Sequence, residues 1–300
     1  MTVARPAQWR SGLLFAAAGS IAFSGKAIIV KLAYRHGVDA VTLLMYRMLF
    51  ALPMFVAMAW WSGRGRPRLT ARDVLGIVGL GFSGYYLASY LDFWGLEHIS
   101  ASLERLILYL NPTLVLLLGW LLYGKKIKYR QGVGMAISYA GVLLVFGHEA
   151  SLEGQQAALG ALLVLLSAIS YALYLSYSGQ LVQRLGSLRL AGWATSVACL
   201  LCIAQFAWLR PLSAAQVAEP VLWLSLLNAL ACTAVPVLLV MMAIERIGPG
   251  LTAQTGMIGP MSTLTMGVLI LGEPFNLWIV GGTVLVLSGV FWVTRMPRGS

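Results

Sequence analysis

Pairing Leu91 with Leu239 and carrying that offset along the chain lays the second half over the first without a gap. Glu97, Ile99, Leu103, Pro112, Gly119, Gly124, Gly134, Gly141 and Val145 then fall on Glu245, Ile247, Leu251, Pro260, Gly267, Gly272, Gly282, Gly289 and Val293. Coincident Leu or Val are common in an apolar chain, whereas coincident Glu, Pro and four Gly are not. An internal repeat of this length constrains the fold strongly, because both copies must take up one architecture. Each copy also holds five segments long enough to cross a bilayer. An odd number of crossings turns the second copy upside down relative to the first. Inverted repeats of this kind build alternating-access carriers, whose site lies near the midplane where the copies meet.

Composition supports the membrane reading. The chain is 59% hydrophobic and only 10% charged, with a mean hydropathy of +0.82, far more apolar than a soluble domain. Ten apolar runs reach membrane length: 12–33, 40–61, 72–93, 100–123, 128–146, 157–178, 189–209, 220–243, 249–271 and 277–294. None alternates with a period of two, so the expected fold is an all-α integral membrane protein of ten transmembrane helices. The two inverted five-helix repeats occupy 1–150 and 151–300 within one membrane domain.

A net charge of +11 invites a nucleic-acid reading, which its placement rejects. With ten spans, fifteen of the 21 Lys and Arg fall on the side of the N-terminus, among them Arg64, Arg66, Arg68, Lys125, Lys126, Lys128 and Arg130. The opposite side holds Lys31, Arg35 and Arg210, and Lys26, Arg47 and Arg105 lie inside spans. Such asymmetry places both termini in the cytoplasm. The first span is too long for a signal-peptide core and is expected to remain in the mature chain.

Other signals reduce to packing. Cys199 and Cys202 form a CxxC inside a span, which with Cys232 is read as small apolar filling. Gly79, Gly81 and Gly84 match GxGxxG, but inside a membrane helix this reads as close helix packing, not dinucleotide binding. His36, His98 and His148 have no metal-ligand spacing. No cofactor or metal is expected. The partners expected are membrane lipid and a small-molecule substrate, and the sequence does not set an oligomeric state.

The end of each half carries a pattern. Gly259-Pro260 is followed by Leu271-Gly272-Glu273, Gly281-Gly282 and Ser288-Gly289-Val290. Asn111-Pro112 is followed by Leu122-Tyr123-Gly124, Gly132, Gly134 and Ala140-Gly141-Val142. This resembles the EamA domain, in two copies, of the drug/metabolite transporter superfamily, and within it the YddG-type exporters of aromatic and other neutral amino acids. The resemblance covers the whole chain and implies a carrier of the bacterial inner membrane. The first copy departs from the pattern at Lys125, where the second has Glu273.

Polar side chains avoid lipid, so the spans that carry them are expected to line the path. Ser167, Tyr171, Tyr174 and Ser178 share one face of the sixth span, either as pore lining or as a helix–helix seam. The third span offers Phe82, Tyr86, Ser89, Tyr90 and Phe93, an aromatic surface suited to flat apolar side chains. Pro112 and Pro260 sit near the middle of equivalent spans, and each frees the carbonyl four residues earlier. In a bilayer such groups persist only where protein or a wet cavity satisfies them. Asn111 and Thr255 neighbour these breaks. Glu104, Ile107 and Asn111 share a face, as do their counterparts Thr252, Thr255 and Gly259.

Lys26, Arg47, Asp92, Glu104 and Arg105 are charges inside spans, and all belong to the first copy. Either Lys26 or an arginine receives a substrate carboxylate while Glu104 or Asp92 pairs internally or holds an amine, or the charges only snorkel and pair to brace the outer gate. The candidate substrate-binding set is thus Ser24, Lys26, Tyr86, Tyr90, Glu104, Asn111, Ser167, Tyr171, Tyr174, Asn228 and Thr255, with Pro112 and Pro260 as helix breaks. Rival readings are an exporter of organic cations, a channel and a membrane-embedded enzyme. The surplus of buried positive charge favours a substrate bearing a carboxylate.

Overall fold

The computed structural model describes residues 6–124, 126–153, 155–256 and 258–294, and every regular element among them is helical. α1 (Pro6–Tyr34) and α2 (Ala40–Gly63) are joined by a turn in which the Asp39 carboxylate accepts from the amides of Val41 and Thr42. α3 (Ala71–Leu80) passes through a π-helical stretch, Gly81–Leu87, into α4 (Ala88–Leu96). α5 (Ala101–Leu108) and α6 (Asn111–Tyr123) follow, then α7 (Tyr129–Glu153), α8 (Gln155–Leu185) and α9 (Ser187–Leu209). α10 (Glu219–Ala229) passes through a second π-helical stretch, Leu230–Ala234, into α11 (Val235–Gly256). α12 (Gly259–Met266) ends in a third, Gly267–Leu271, before α13 (Leu277–Thr294).

Eight helical spans, beginning with Trp9–Tyr34 and ending with Glu219–Val240, are long and apolar enough to cross a membrane. Gly259–Leu271 and Leu277–Val293 are apolar but shorter. The sequence reading separates its eighth and ninth spans by a loop at 244–248, but here α11 remains helical through that stretch. The first copy does open, at 97–100, and restarts at Ala101. A side chain explains the difference. The Ser100 hydroxyl accepts from the Leu103 amide and caps a new helix at 3.0 Å, whereas the matching residue of the second copy is Gly248.

The packing follows the repeat. α7 lies against α13 with Gly134 facing Gly289 and Gly141 facing Gly282; a Cβ on Gly141 would stand 2.7 Å from the Gly282 carbonyl oxygen. Later residues of one helix meet earlier residues of the other, so the pair is antiparallel. The sequence offset takes Gly134 to Gly282 and Gly141 to Gly289, exchanging the two contacts. This reciprocity is the mark of a two-fold relation. Gly12 against Ile247 and Gly160 against Ile99 exchange in the same way. The π-helical stretches at 81–87 and 230–234 occupy matching positions. So do the left-handed glycines that end α6 and the stretch after α12, Gly124 (φ 62°) and Gly272 (φ 73°), a conformation glycine adopts without a Cβ penalty.

Candidate functional site

Both proline positions are helix breaks. α5 stops at Leu108 and α6 starts at Asn111, while α11 stops at Gly256 and α12 starts at Gly259. The sequence places the prolines mid-helix; the structure places each in the first turn of a new helix, where a missing amide costs least. Each freed carbonyl has a donor. The Leu108 oxygen accepts from Asn111 Nδ2 at 2.7 Å. The Gly256 oxygen accepts from the hydroxyls of Ser20 at 2.7 Å and Tyr109 at 2.6 Å. Ser24 donates to the Gly259 oxygen at 2.9 Å. Ser24 and Asn111 therefore brace the breaks. Thr255 stands at the second one, where its carbonyl accepts from the Ile258 amide at 3.2 Å.

Beside this lies a buried charge cluster. Lys26 Nζ is paired with Asp92 Oδ2 and lies 3.0 Å from Glu104 Oε1. The Lys26 and Asp92 side chains are almost fully buried and that of Glu104 entirely so. One ammonium thus serves two carboxylates, while Asp92 Oδ1 and Glu104 Oε2 are buried with no donor among the described residues. Arg105 Nε donates to Thr263 Oγ1 at 3.0 Å and its Nη2 to the Phe23 carbonyl at 3.2 Å. Arg47 Nε donates to Thr233 Oγ1 at 3.1 Å, and the guanidinium sits 5.1 Å from the centre of the Phe93 ring. Arg47 Nη1 is buried with no acceptor among the described residues. Among the described residues neither arginine is paired with a carboxylate. Asn228 Nδ2 reaches the Lys26 carbonyl at 3.5 Å, and its Oδ1 is buried without a donor among the described residues.

The structure therefore gathers Lys26, Glu104 and Asn228 and sets Ser24 and Asn111 at the adjoining breaks. It leaves the aromatic candidates in two separate groups. Tyr174 shares a 3.1 Å hydroxyl contact with Tyr85 and stacks on Tyr171, whereas Tyr86 packs on Phe82 and Tyr90 on Trp94. Ser167 donates to the Ala88 carbonyl at 2.7 Å, which makes it part of the α4–α8 seam. Gly81 and Gly84 of the GxGxxG run allow close contact, with α9 and Tyr174 respectively. The cysteines are buried and free.

Thr263, Thr233, Ser20, Tyr109 and Tyr85 also contact these groups, though none of them is in the candidate set. Extending the Thr252–Thr255–Gly259 face by one turn reaches Thr263, so that signal was present. Thr233 lies in a π-helical stretch whose altered register no helical template anticipates.

Eight helices long and apolar enough to cross a membrane make this a multi-pass membrane protein, one that also buries charged side chains. Residues 10–147 and 158–295 each match the EamA-like transporter family, and the chain belongs to that family. It is 30% identical over 295 residues to the uncharacterized transporter YcbK of Bacillus subtilis (strain 168), covering 93% of this chain and 92% of the relative. A second relative from the same organism, the uncharacterized transporter YetK, is 22% identical over 93% of this chain and 86% of its own length. A solved crystal structure aligns over 94% of this chain and 96% of its own with a TM-score of 0.63 and 16% identity, a likeness of fold.

Proposed function

We propose that this protein exports amino acids, aromatic and other neutral ones favoured, or related metabolites bearing a carboxylate. It does so by alternating access between two inverted halves, 1–150 and 151–300. Ten crossings with both termini in the cytoplasm, in the bacterial inner membrane, complete the reading. The exchanged glycine contacts and the basic residues clustered on one side support it.

The observation that carries the substrate class is the state of the two buried arginines. Arg47 and Arg105 rest on hydroxyls, a carbonyl and aromatic rings, all neutral groups. An incoming carboxylate is the acceptor that matches a guanidinium best. The two acids that an organic cation would need are both already turned onto Lys26. In the sequence reading Lys26 competes with the arginines for the substrate carboxylate; its two partners pass that role to Arg105 and Arg47.

Close packing at the end bearing the α1–α2 turn supports closure there: Ala33, Leu96, Ile99 and Ala101 are each at most 1% exposed, beside a cleft of about 640 Å³ lined by Lys31, Tyr34, Arg35, Glu97 and Glu273. Counterflow into proteoliposomes preloaded with unlabelled amino acids tests the proposal. Saturable accumulation of labelled phenylalanine, blocked by other aromatic amino acids, is the expected result. No accumulation with folded, inserted protein removes amino acids as substrates, and uptake of a labelled organic cation would then favour the cation reading.

A further inference from the structure

We propose that Glu273 is a positioning residue that latches the outer end of the second half onto α5 and so holds the path shut on the side of the α1–α2 turn. The inference rests on the two-sided access proposed above. Glu273 follows the left-handed Gly272, and its amide donates to the Gly267 carbonyl at 3.0 Å, so the chain turns back on itself there. The turn aims the carboxylate at the first turn of a helix in the other half. Glu273 Oε1 accepts from the Ala101 amide at 2.7 Å, and Oε2 accepts from the Ser102 amide at 3.3 Å and the Ser102 hydroxyl at 2.5 Å. A carboxylate on free amides at a helix start is a strong arrangement, because the aligned peptide dipoles favour negative charge there.

Three further observations give the contact a role beyond capping. α5 carries Glu104 and Arg105 in its first and last turns, so whatever fixes the start of α5 also fixes the charge cluster. Next to Glu273, the Leu271 carbonyl accepts from Arg35 Nη2 at 2.7 Å. The one segment 271–273 is thereby tied to the end of α1 and the start of α5 together. The absence of a Cβ at Gly267 also makes room, since a Cβ there would stand 2.8 Å from Glu273 Oε2.

The latch also accounts for the broken symmetry of the sequence. The second-copy counterpart of Ala101 is Pro249, which lies inside α11 and not at a helix start. The described residues hold no matching terminus for the first copy to cap, and its counterpart of Glu273 is Lys125.

Cys232 supplies a native reporter. It is 4% exposed, and a Cβ on Gly25, next to Lys26, would stand 3.2 Å from its sulfur. With Cys199 and Cys202 replaced by Ala, a membrane-impermeant thiol reagent is applied to vesicles of each orientation. A separate His36→Cys variant identifies the side of the α1–α2 turn. Glu273→Gln and Arg35→Gln are expected to speed labelling of Cys232 roughly tenfold from that side alone, the loss of one charge-assisted bond. Glu273→Asp, which keeps the charge, is expected to restore most of the protection. Gly267→Ala, which crowds the carboxylate without removing it, is expected to act like Glu273→Gln. Unchanged labelling overturns the latch, as does a rise from both sides, which reports general loosening. The assay needs no substrate, so failed amino-acid counterflow beside side-specific labelling would remove the substrate reading and leave the latch standing.

Discussion

Tyr109 donates its hydroxyl to the Gly256 carbonyl at 2.6 Å, the oxygen that Pro260 leaves without an intrahelical donor. One helix break thus lends a side chain to the other across the interface between the halves. Ser20 adds a second donor to the same oxygen. A buried carbonyl stripped of its donors would be costly in lipid, so the second break holds its shape only while the halves are docked, whereas the first is braced by its own Asn111.

Removing both donors should therefore cost more than removing each. Tyr109→Phe and Ser20→Ala are each expected to lower stability by about 1 kcal/mol, and the double variant by roughly 3 kcal/mol, since only then is the carbonyl orphaned. Thermal unfolding of the purified protein in detergent measures the coupling. Strict additivity would mean that the two hydroxyls do not share a task.

Lys26→Met leaves two buried carboxylates without their cation and is expected to cost about 3–5 kcal/mol. Adding Glu104→Gln and Asp92→Asn to Lys26→Met removes the stranded charges and should recover much of the loss. Expression level and melting temperature across the series decide it. A mild effect of Lys26→Met alone would count against the ion triad.

Arg105 is the guanidinium next to both breaks, and its charge should be felt by substrate. Arg105→Gln is expected to raise the KM for the transported amino acid at least about tenfold, the worth of one charged hydrogen bond. Arg105→Lys keeps the charge but loses the planar fork and should fall between the two. Concentration-dependent counterflow gives the values, and an unaltered KM in both variants would exclude Arg105 from the site.

Asp39, in the turn outside the membrane helices, gives a pH dependence of known sign. Burial opposes its ionisation, but hydrogen bonds from Thr42 and the nearby Arg210 outweigh this and hold its carboxyl below the usual range. A depressed folded-state value means the stabilisation is present at neutral pH and is lost as pH falls through that lowered value. The pair is part-exposed, so the contribution is expected to be only a few tenths of a kcal/mol to about 1 kcal/mol. The melting temperature of Asp39→Ala should lie below that of the unaltered chain at neutral pH, with the gap closing in acid.

Much of this protein was determined by its sequence alone. Helical membrane segments follow from apolar runs whose backbone must satisfy itself in lipid. The duplication follows from the matched Pro112 and Pro260 and from the glycines that prove to meet across α7 and α13. The family resemblance was legible in the same residues. Single-residue features such as a proline break or a close-packed glycine act through local geometry, so they leave a mark that can be read in one dimension.

Only the tertiary structure decided which groups meet. It brought Lys26 to Asp92 and Glu104, gave Arg105 and Arg47 the hydroxyls of Thr263 and Thr233, and carried the Glu273 carboxylate across to Ala101. It also turned Ser167 into a seam contact and divided the tyrosines between two clusters. Each of these pairings joins residues distant in the chain, and each depends on helix register, on the π-helical stretches that shift it, and on which helix ends in a cap. Those are settled when whole helices pack, because an angular change of a fraction of a turn moves a side chain from lipid to core, and no local pattern records it.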